Sequence, residues 1–244
     1  MTSGARPVDT AASAQWYEDV PEFQSIGVRA FTTTRAAGTF GLGSDEPTRD
    51  VMARWDRLRS ELRSSGPRLA LAHQVHGDRV LVHNASWEGW LRCGDADGHF
   101  ALDRGIGMAV SIADCVPVFM AHSSGAVALL HSGWRGTAGR IVERAIDMFE
   151  ARGIPSTELL VHLGPSICGN CYEVSPDVYE RVTGRAADVP TTVDLRAVIA
   201  DHARLRGVRR ISITSSCTRC NNDRFFSHRA GDAGRQVGVM IAAA

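Results

Sequence analysis

Short apolar runs alternate with polar breaks along this chain, and the period of each run sorts it into strand or helix. Residues 26–35, "IGVRAFTTTR", are rich in β-branched side chains and predict a strand, followed by a glycine-rich loop at "AAGTFGLGSDEP". Residues 47–64 carry Pro47 near their start, mixed charge along their length and Gly66 beyond their end, which predicts a helix. "RLALAHQVHG" and "DRVLVH" predict two strands joined as a hairpin at Gly77-Asp78. "GIGMAVSIADC", "VPVFMAH" and "GAVALLHSG" predict three more strands. Over residues 137–153, Ile141, Ala145, Ile146 and Phe149 share one helical face, with Thr137 as the expected N-cap and Gly153 as the stop. "ELLVHLG" (158–164) predicts a strand, "VDLRAVIADHARLRG" (193–207) a second helix, and "VRRISIT" and "RQVGVMIA" the closing strands. Many strands mixed with a few helices give an α/β or α+β domain, and periodicity alone goes no further.

Composition narrows the function more than the fold. The 244 residues contain no repeat, low-complexity tract or long linker, so residues 26–244 read as one domain, preceded by a partly ordered extension over residues 1–25. The formal net charge of zero gives no general pull toward nucleic acid or anionic membrane. No window approaches the ~20 apolar residues of a bilayer span. The start lacks a basic stretch followed by an apolar one, so a cytoplasmic location is expected. All 27 basic side chains are arginine. That excludes a Schiff-base lysine and a P-loop lysine, and leaves arginine, histidine, backbone N–H groups or a metal to hold any anion.

The six cysteines include two C-x-x-C pairs, Cys168/Cys171 and Cys217/Cys220. Three disulfides are not expected in a reducing compartment. Zinc ribbons usually separate such pairs by ~15–20 residues. The longer stretch here counts against a four-cysteine zinc site and in favour of a glycine-rich turn and a strand end.

Candidate chemistry collects at strand ends. His73 and His76 lie in a β pattern, where residues three apart face opposite sides, so at most one meets a given site. His76, just before a turn, is the better candidate, and His73 is expected half-buried in the sheet. Cys115 stands two residues before Pro117, where a strand ladder is broken. His131 ends an apolar strand, and the loop after it carries Arg135 into a helix N-terminus suited to anions. His76, Cys115 and His131 are a set that could hold a catalytic zinc, and equally the parts of a cysteine–histidine nucleophile. In "NDRFFSHRAGDAGRQ", Phe225 or Phe226 could stack a flat ring while His228 or Arg229 meets an anion.

Five stretches in order, "HQVHGDRV", "ADCVPV", "HSGWRGTAGRIVERAI", "LGPSICGNCYEV" and "CTRCNNDRFFSHR", resemble the signatures of the YfiH/YlmD family, also called the laccase-domain or multicopper polyphenol oxidoreductase group. The resemblance runs from about residue 27 to the C-terminus. It implies a layered α/β/β/α sandwich with mixed sheets and a metal site, usually zinc with copper as the alternative, at His76, Cys115 and His131. It implies phosphorolysis of adenosine, inosine, guanosine and methylthioadenosine with inorganic phosphate, together with deamination of adenosine. Arg35, Arg135, Phe226, His228 and Arg229 are then the expected substrate and phosphate contacts, in a monomer or weak homodimer. A metal-free cysteine hydrolase and a peptidoglycan-precursor editing factor are the alternatives. A copper polyphenol oxidase fits poorly, because three ligands cannot hold several coppers. The "TTTRAAGTFGLG" loop is shorter than the family pattern, which weakens the case for Arg35. His99 stands where an aliphatic residue is usual, and His228 where some members have tyrosine.

Overall fold

Two six-stranded sheets lie face to face in the computed structural model, which describes residues 15–244. The strands are β1 (Tyr17–Asp19), β2 (Val28–Thr33), β3 (Arg68–His73), β4 (Val80–His83), β5 (Gly89–Asp95), β6 (Gly98–Ala101), β7 (Ile106–Ile112), β8 (Val116–Ala121), β9 (Val127–Ser132), β10 (Leu160–Leu163), β11 (Glu173–Val174), β12 (Thr191–Thr192), β13 (Arg210–Ile213) and β14 (Gln236–Ala242). The helices are α1 (Thr48–Leu62), α2 (Trp134–Ala138), α3 (Ile141–Glu150), α4 (Pro176–Thr183) and α5 (Leu195–Leu205). The first sheet runs β1-β2-β14-β7-β3-β5 and the second β13-β10-β8-β9-β6-β4, each mixing parallel and antiparallel pairs; β11 and β12 form a small ribbon apart.

Strand β8 explains the layering. All six of its residues are buried, and alternation sends Val116, Val118 and Met120 to one face and Phe119 and Ala121 to the other. The first set packs under α3 and α5, and the second meets Val110 and Ile112 of β7 across the sandwich. On the outer face of the first sheet, Val51, Trp55, Leu58 and Leu62 of α1 recur at helical spacing and cover Phe31, Leu69 and Val239. Each such large side chain stabilises the fold by roughly 1.5–3 kcal/mol when fully buried. The layers are therefore helix, sheet, sheet, helix, as the resemblance implied.

Three local expectations are corrected. Residues 68–83 are not a hairpin: β3 lies in the first sheet and β4 in the second, and Gly77-Asp78 belongs to a crossover between them. The helix expected over 137–153 is split, because Arg140 takes a left-handed conformation (φ 61°) between α2 and α3. Thr137 caps neither piece; it sits inside α2, where its hydroxyl donates to the Gly133 carbonyl at 2.9 Å. By contrast, Asp194 caps α5, accepting from the amides of Arg196 and Ala197. Of the extension expected over residues 1–25, residues 1–14 lie outside the described residues. The remainder contributes β1, which pairs with β2, and Phe23 to the core between the sheets.

Candidate active site

The topology repeats one move three times: β3 to β4, β5 to β6 and β7 to β8 each carry the chain from the first sheet into the second. The connecting residues are 74–79, 96–97 and 113–115, and the ends of β3, β5 and β7 are aligned by parallel pairing. The three crossovers therefore meet at one end of the sandwich. They deliver His76, Asp97 and Cys115, and β9 brings His131 to the same place. Turning between sheets in so few residues needs unusual backbone, and His76 (φ 60°) and Asp114 (φ 84°) both adopt the left-handed region. Gln74 fastens the opening between β3 and β7, donating to the Ser111 carbonyl at 2.8 Å and accepting from its amide at 2.6 Å.

Asp97 organises the site from beneath. Fully buried, it accepts from the amides of Val75 (3.2 Å), His76 (3.0 Å) and Gly77 (2.6 Å), which fixes the left-handed turn. Burial alone would raise its pKa, but the His131 hydrogen bond and these amides together hold its carboxyl below the usual carboxylate range. An ionised carboxylate only accepts, so the 2.8 Å contact from His131 Nδ1 must carry the proton on Nδ1. Nε2 of His131 is then the nitrogen left for Cys115 and any ligand. Burial pushes the Cys115 thiol up, yet His131 and His76 beside it bring the thiol down to about 6. Burial likewise opposes charge on His131, and Cys115 and Asp97 outweigh it, raising His131 to about 9. Without a metal, each group thus favours the charged form of the other: His131 pulls the Cys115 thiol down, and Cys115 pushes His131 up.

The donor set fits a transition-metal ion. One ligand atom from each of His76, Cys115 and His131 lies within 4.8 Å of the others, and His131 carries the carboxylate partner that metal-bound histidines usually have. Gly133 keeps the space open: a Cβ there would lie 2.9 Å from Cys115 Sγ and 3.5 Å from His76 Cδ2.

The three groups face a cleft of about 560 Å³, within the range of small-molecule sites. Its lining is cationic, with Arg92, Arg135, Arg229 and Arg235, and His228 is also part of it. Arg135 lies over the Trp134 ring, and neither it nor Arg92 has an ion pair or side-chain hydrogen bond among the described residues. Arg229 donates twice to the Glu173 carbonyl and lies over Tyr172, whose hydroxyl burial and the nearby Cys115 push up to about 12. Asp114, the single carboxylate of the lining among the described residues, is already engaged: it accepts from the Thr218 hydroxyl at 2.6 Å and the Arg229 amide at 2.7 Å.

Two expected contacts lie elsewhere. Arg35 is committed to Asp232 (2.7 Å) and to the carbonyls of Asn222 and Phe225, and its guanidinium covers the Phe226 ring at 4.3 Å. Phe225 and Phe226 are buried, so neither offers a ring face to a ligand in the cleft. His73 is not half-buried; it is exposed at the strand end, 2.8 Å from Asp95, and lines the cleft together with His76. Alternation does not separate the two histidines, because the chain leaves the strand between them. Asp97, Tyr172, Arg92 and Arg235 were not singled out in the sequence. An acid set between two small residues at a strand start was the available signal for Asp97, and the arginines had none among 27. The two C-x-x-C pairs, expected to be separate, have their four sulfurs within 4.8 Å of one another.

Residues 29–243 match the family described as multi-copper polyphenol oxidoreductase laccase. A purine nucleoside phosphorylase of Mycobacterium tuberculosis strain H37Rv is 34% identical over 235 residues, covering 88% of this chain and 92% of its own. An adenosine deaminase, RL5, from an unknown prokaryotic organism is 30% identical over 239 residues, covering 83% of this chain and 88% of its own. The crystal structure of YlmD from Geobacillus stearothermophilus superposes with a TM-score of 0.84 at 26% identity, over 92% of this chain and 94% of that one. No helix among the described residues is long and apolar enough to cross a membrane. By its matched length, its relatives and its sandwich, the chain belongs to the laccase-like YfiH family.

Proposed function

We propose that this chain is a zinc-dependent purine nucleoside phosphorylase that also deaminates adenosine. The observation that carries the reading is a single cleft joining a metal-ligand trio to uncommitted arginines, in a chain whose relatives are named for those two activities. Zinc held by His76, Cys115 and His131 would supply Lewis acidity at the cleft floor. Everything else falls to side chains. Arg135 and Arg92 hold phosphate, with Arg229 beside them, and place one of its oxygens against the ribose C1′. Phosphate forms the new C1′–O bond as the C1′–N bond to the purine breaks, and the departing base needs a proton. His228, the imidazole on the Arg229 side of the cleft, can supply it. Asp97 keeps the Nδ1 proton of His131 in place throughout, so that Nε2 stays available to the metal.

A second reading rests on the Cys115–His131–Asp97 order, which is that of a cysteine hydrolase with an activated thiolate. One experiment separates the two. Purified protein is incubated with adenosine and phosphate and assayed for adenine, ribose 1-phosphate and inosine, before and after chelation. The phosphorylase reading expects all three products, lost on chelation and in His76→Ala, Cys115→Ala and His131→Ala while the circular dichroism spectrum stays native. Full phosphorolysis from metal-free protein would overturn the zinc-centred reading.

A further inference from the structure

Cys168, Cys171, Cys217 and Cys220 stand outside the cleft and have no part in the proposed reaction. Their meeting follows from strand pairing. β10 and β13 are parallel neighbours, with Leu163 opposite Ile213, so the loops that follow them leave the sheet side by side. An isolated parallel bridge between Ser166 and Cys217 extends that pairing into the loops. The chain between the pairs makes an excursion through α4 and α5 and then returns, which is why Cys171 and Cys220 meet from 49 positions apart. A spacing of ~15–20 residues belongs to one continuous ribbon; two parallel strands joined through α4 and α5 carry no such limit.

The local geometry is that of a thiolate cage. All four cysteines are unbonded, and their sulfurs lie within 4.8 Å of one another. A tetrahedral ion with bonds of about 2.3 Å would set sulfurs about 3.8 Å apart, so small adjustments suffice; the nearest pair, Cys171 and Cys220, is at 3.4 Å. Backbone N–H groups of Cys168 (3.3 Å) and Cys220 (3.4 Å) already point at Cys217 Sγ, as they would toward a negatively charged sulfur. Among the described residues no histidine or carboxylate joins the group, and four soft donors around one point suit zinc.

We propose that these four cysteines bind one zinc ion as a structural centre distinct from the cleft. Each thiol releases its proton to solvent on binding, and no electron transfer is involved. The centre fastens one loop that lines the cleft to a second that supports it from behind. The first supplies Ile167 and Tyr172. The second places Thr218 against Asp114, and Asp114 in turn holds the Arg229 amide.

The test counts metal in full-length protein purified under reducing conditions, by elemental analysis. Cys171→Ser/Cys220→Ser should contain one zinc per chain fewer than the wild type, whatever Cys115→Ser does at the other site. Failure of the cleft trio to bind metal would leave that difference intact, so the two proposals fall separately. Should the double variant not fold, Cobalt(II) titration of zinc-stripped Cys115→Ser provides the second measurement. It should give the intense near-ultraviolet sulfur-to-cobalt absorption of four thiolates at one equivalent, abolished by zinc. Unchanged zinc in a folded Cys171→Ser/Cys220→Ser, no thiolate–cobalt band in Cys115→Ser, or a Cys171–Cys220 disulfide in place of metal would each overturn the proposal.

Discussion

His131 and His99 belong to neighbouring strands of one sheet, and both are buried, at 3% and 1% exposure. Their protonation goes opposite ways. His131 meets Asp97 and Cys115 and is raised to about 9. His99 is lowered to about 3, first by burial and then by His83, whose Nε2 lies 2.8 Å from its Nδ1; Asp97 opposes the shift without reversing it. Burial disfavours charge on both rings, so the partner decides the sign. At the crossovers the fold supplies carboxylate and thiol to a histidine. Farther from the cleft it supplies a second imidazole, and the pair stays neutral as a polar plug in the sheet.

The comparison breaks most severely at Asp97. In Asp97→Asn the side chain keeps its shape but presents an amide NH2 in place of one carboxylate oxygen, and each oxygen accepts from two donors: His76 N and His131 Nδ1 on one, Val75 N and Gly77 N on the other. Leaving buried donors unmatched and removing a charged acceptor should cost about 2–4 kcal/mol in urea unfolding. Loss of the orienting carboxylate should weaken the zinc binding proposed for the trio about 10–100-fold in a chelator competition. A variant with native stability and affinity would make Asp97 no more important to His131 than His83 is to His99.

The neutral His83–His99 pair makes stability depend on pH. Below pH 6.5 the unfolded chain takes up protons that His99 refuses in the fold until about pH 3. The stabilisation from keeping it neutral is therefore complete above the unfolded pKa and lost as pH falls through that window, by about 1.4 kcal/mol per pH unit for each proton withheld. His83, lowered by burial, adds in the same direction. Replacing both rings, His83→Leu/His99→Leu, removes donor and acceptor together and should change stability little at pH 8. Urea midpoints at pH 8, 6 and 5 should then fall less steeply than in the wild type. Parallel pH curves for the two proteins would mean that this pair does not sense acid.

How much of this was legible in the sequence depends on what had to be read. The strands at 28–33, 106–112 and 127–132 and the helices at 48–62 and 195–205 follow from local period and flanking glycine or proline, and their positions agreed. His76, Cys115 and His131 were each marked by a strand end, and the structure gathers them, but Pro117 does not break the ladder: it stands inside β8, opposite His131 of β9. Asp97 was not marked, because its importance lies in accepting from residues twenty positions away. The hairpin at Gly77-Asp78 failed for a related reason: a turn-forming dipeptide fixes a local reversal but not the sheet in which the next strand pairs. The four cysteines went unjoined because spacing along the chain says nothing about parallel neighbours separated by two helices. Phe226 looked available because aromatic character was read without the arginine that covers it.

A last variant isolates burial from geometry, and its expected effect is the smallest. His73 and Asp95 contact each other at 2.8 Å, the same separation as His131 and Asp97. Their side chains are 60% and 67% exposed, against 3% and 0% for the buried pair. Water already solvates both exposed groups, and dissolved salt screens what attraction remains. Asp95→Asn should therefore shift stability by no more than about 0.5 kcal/mol, and raising sodium chloride from 0.1 to about 0.5 M, where the screening length is much shorter, should erase the difference. The cost of Asp97→Asn should survive the same salt, since no ions reach a buried carboxylate. If Asp95→Asn proved as damaging as Asp97→Asn, distance alone would account for both contacts, and the crossovers would have lost their claim to have built something the open strand end lacks.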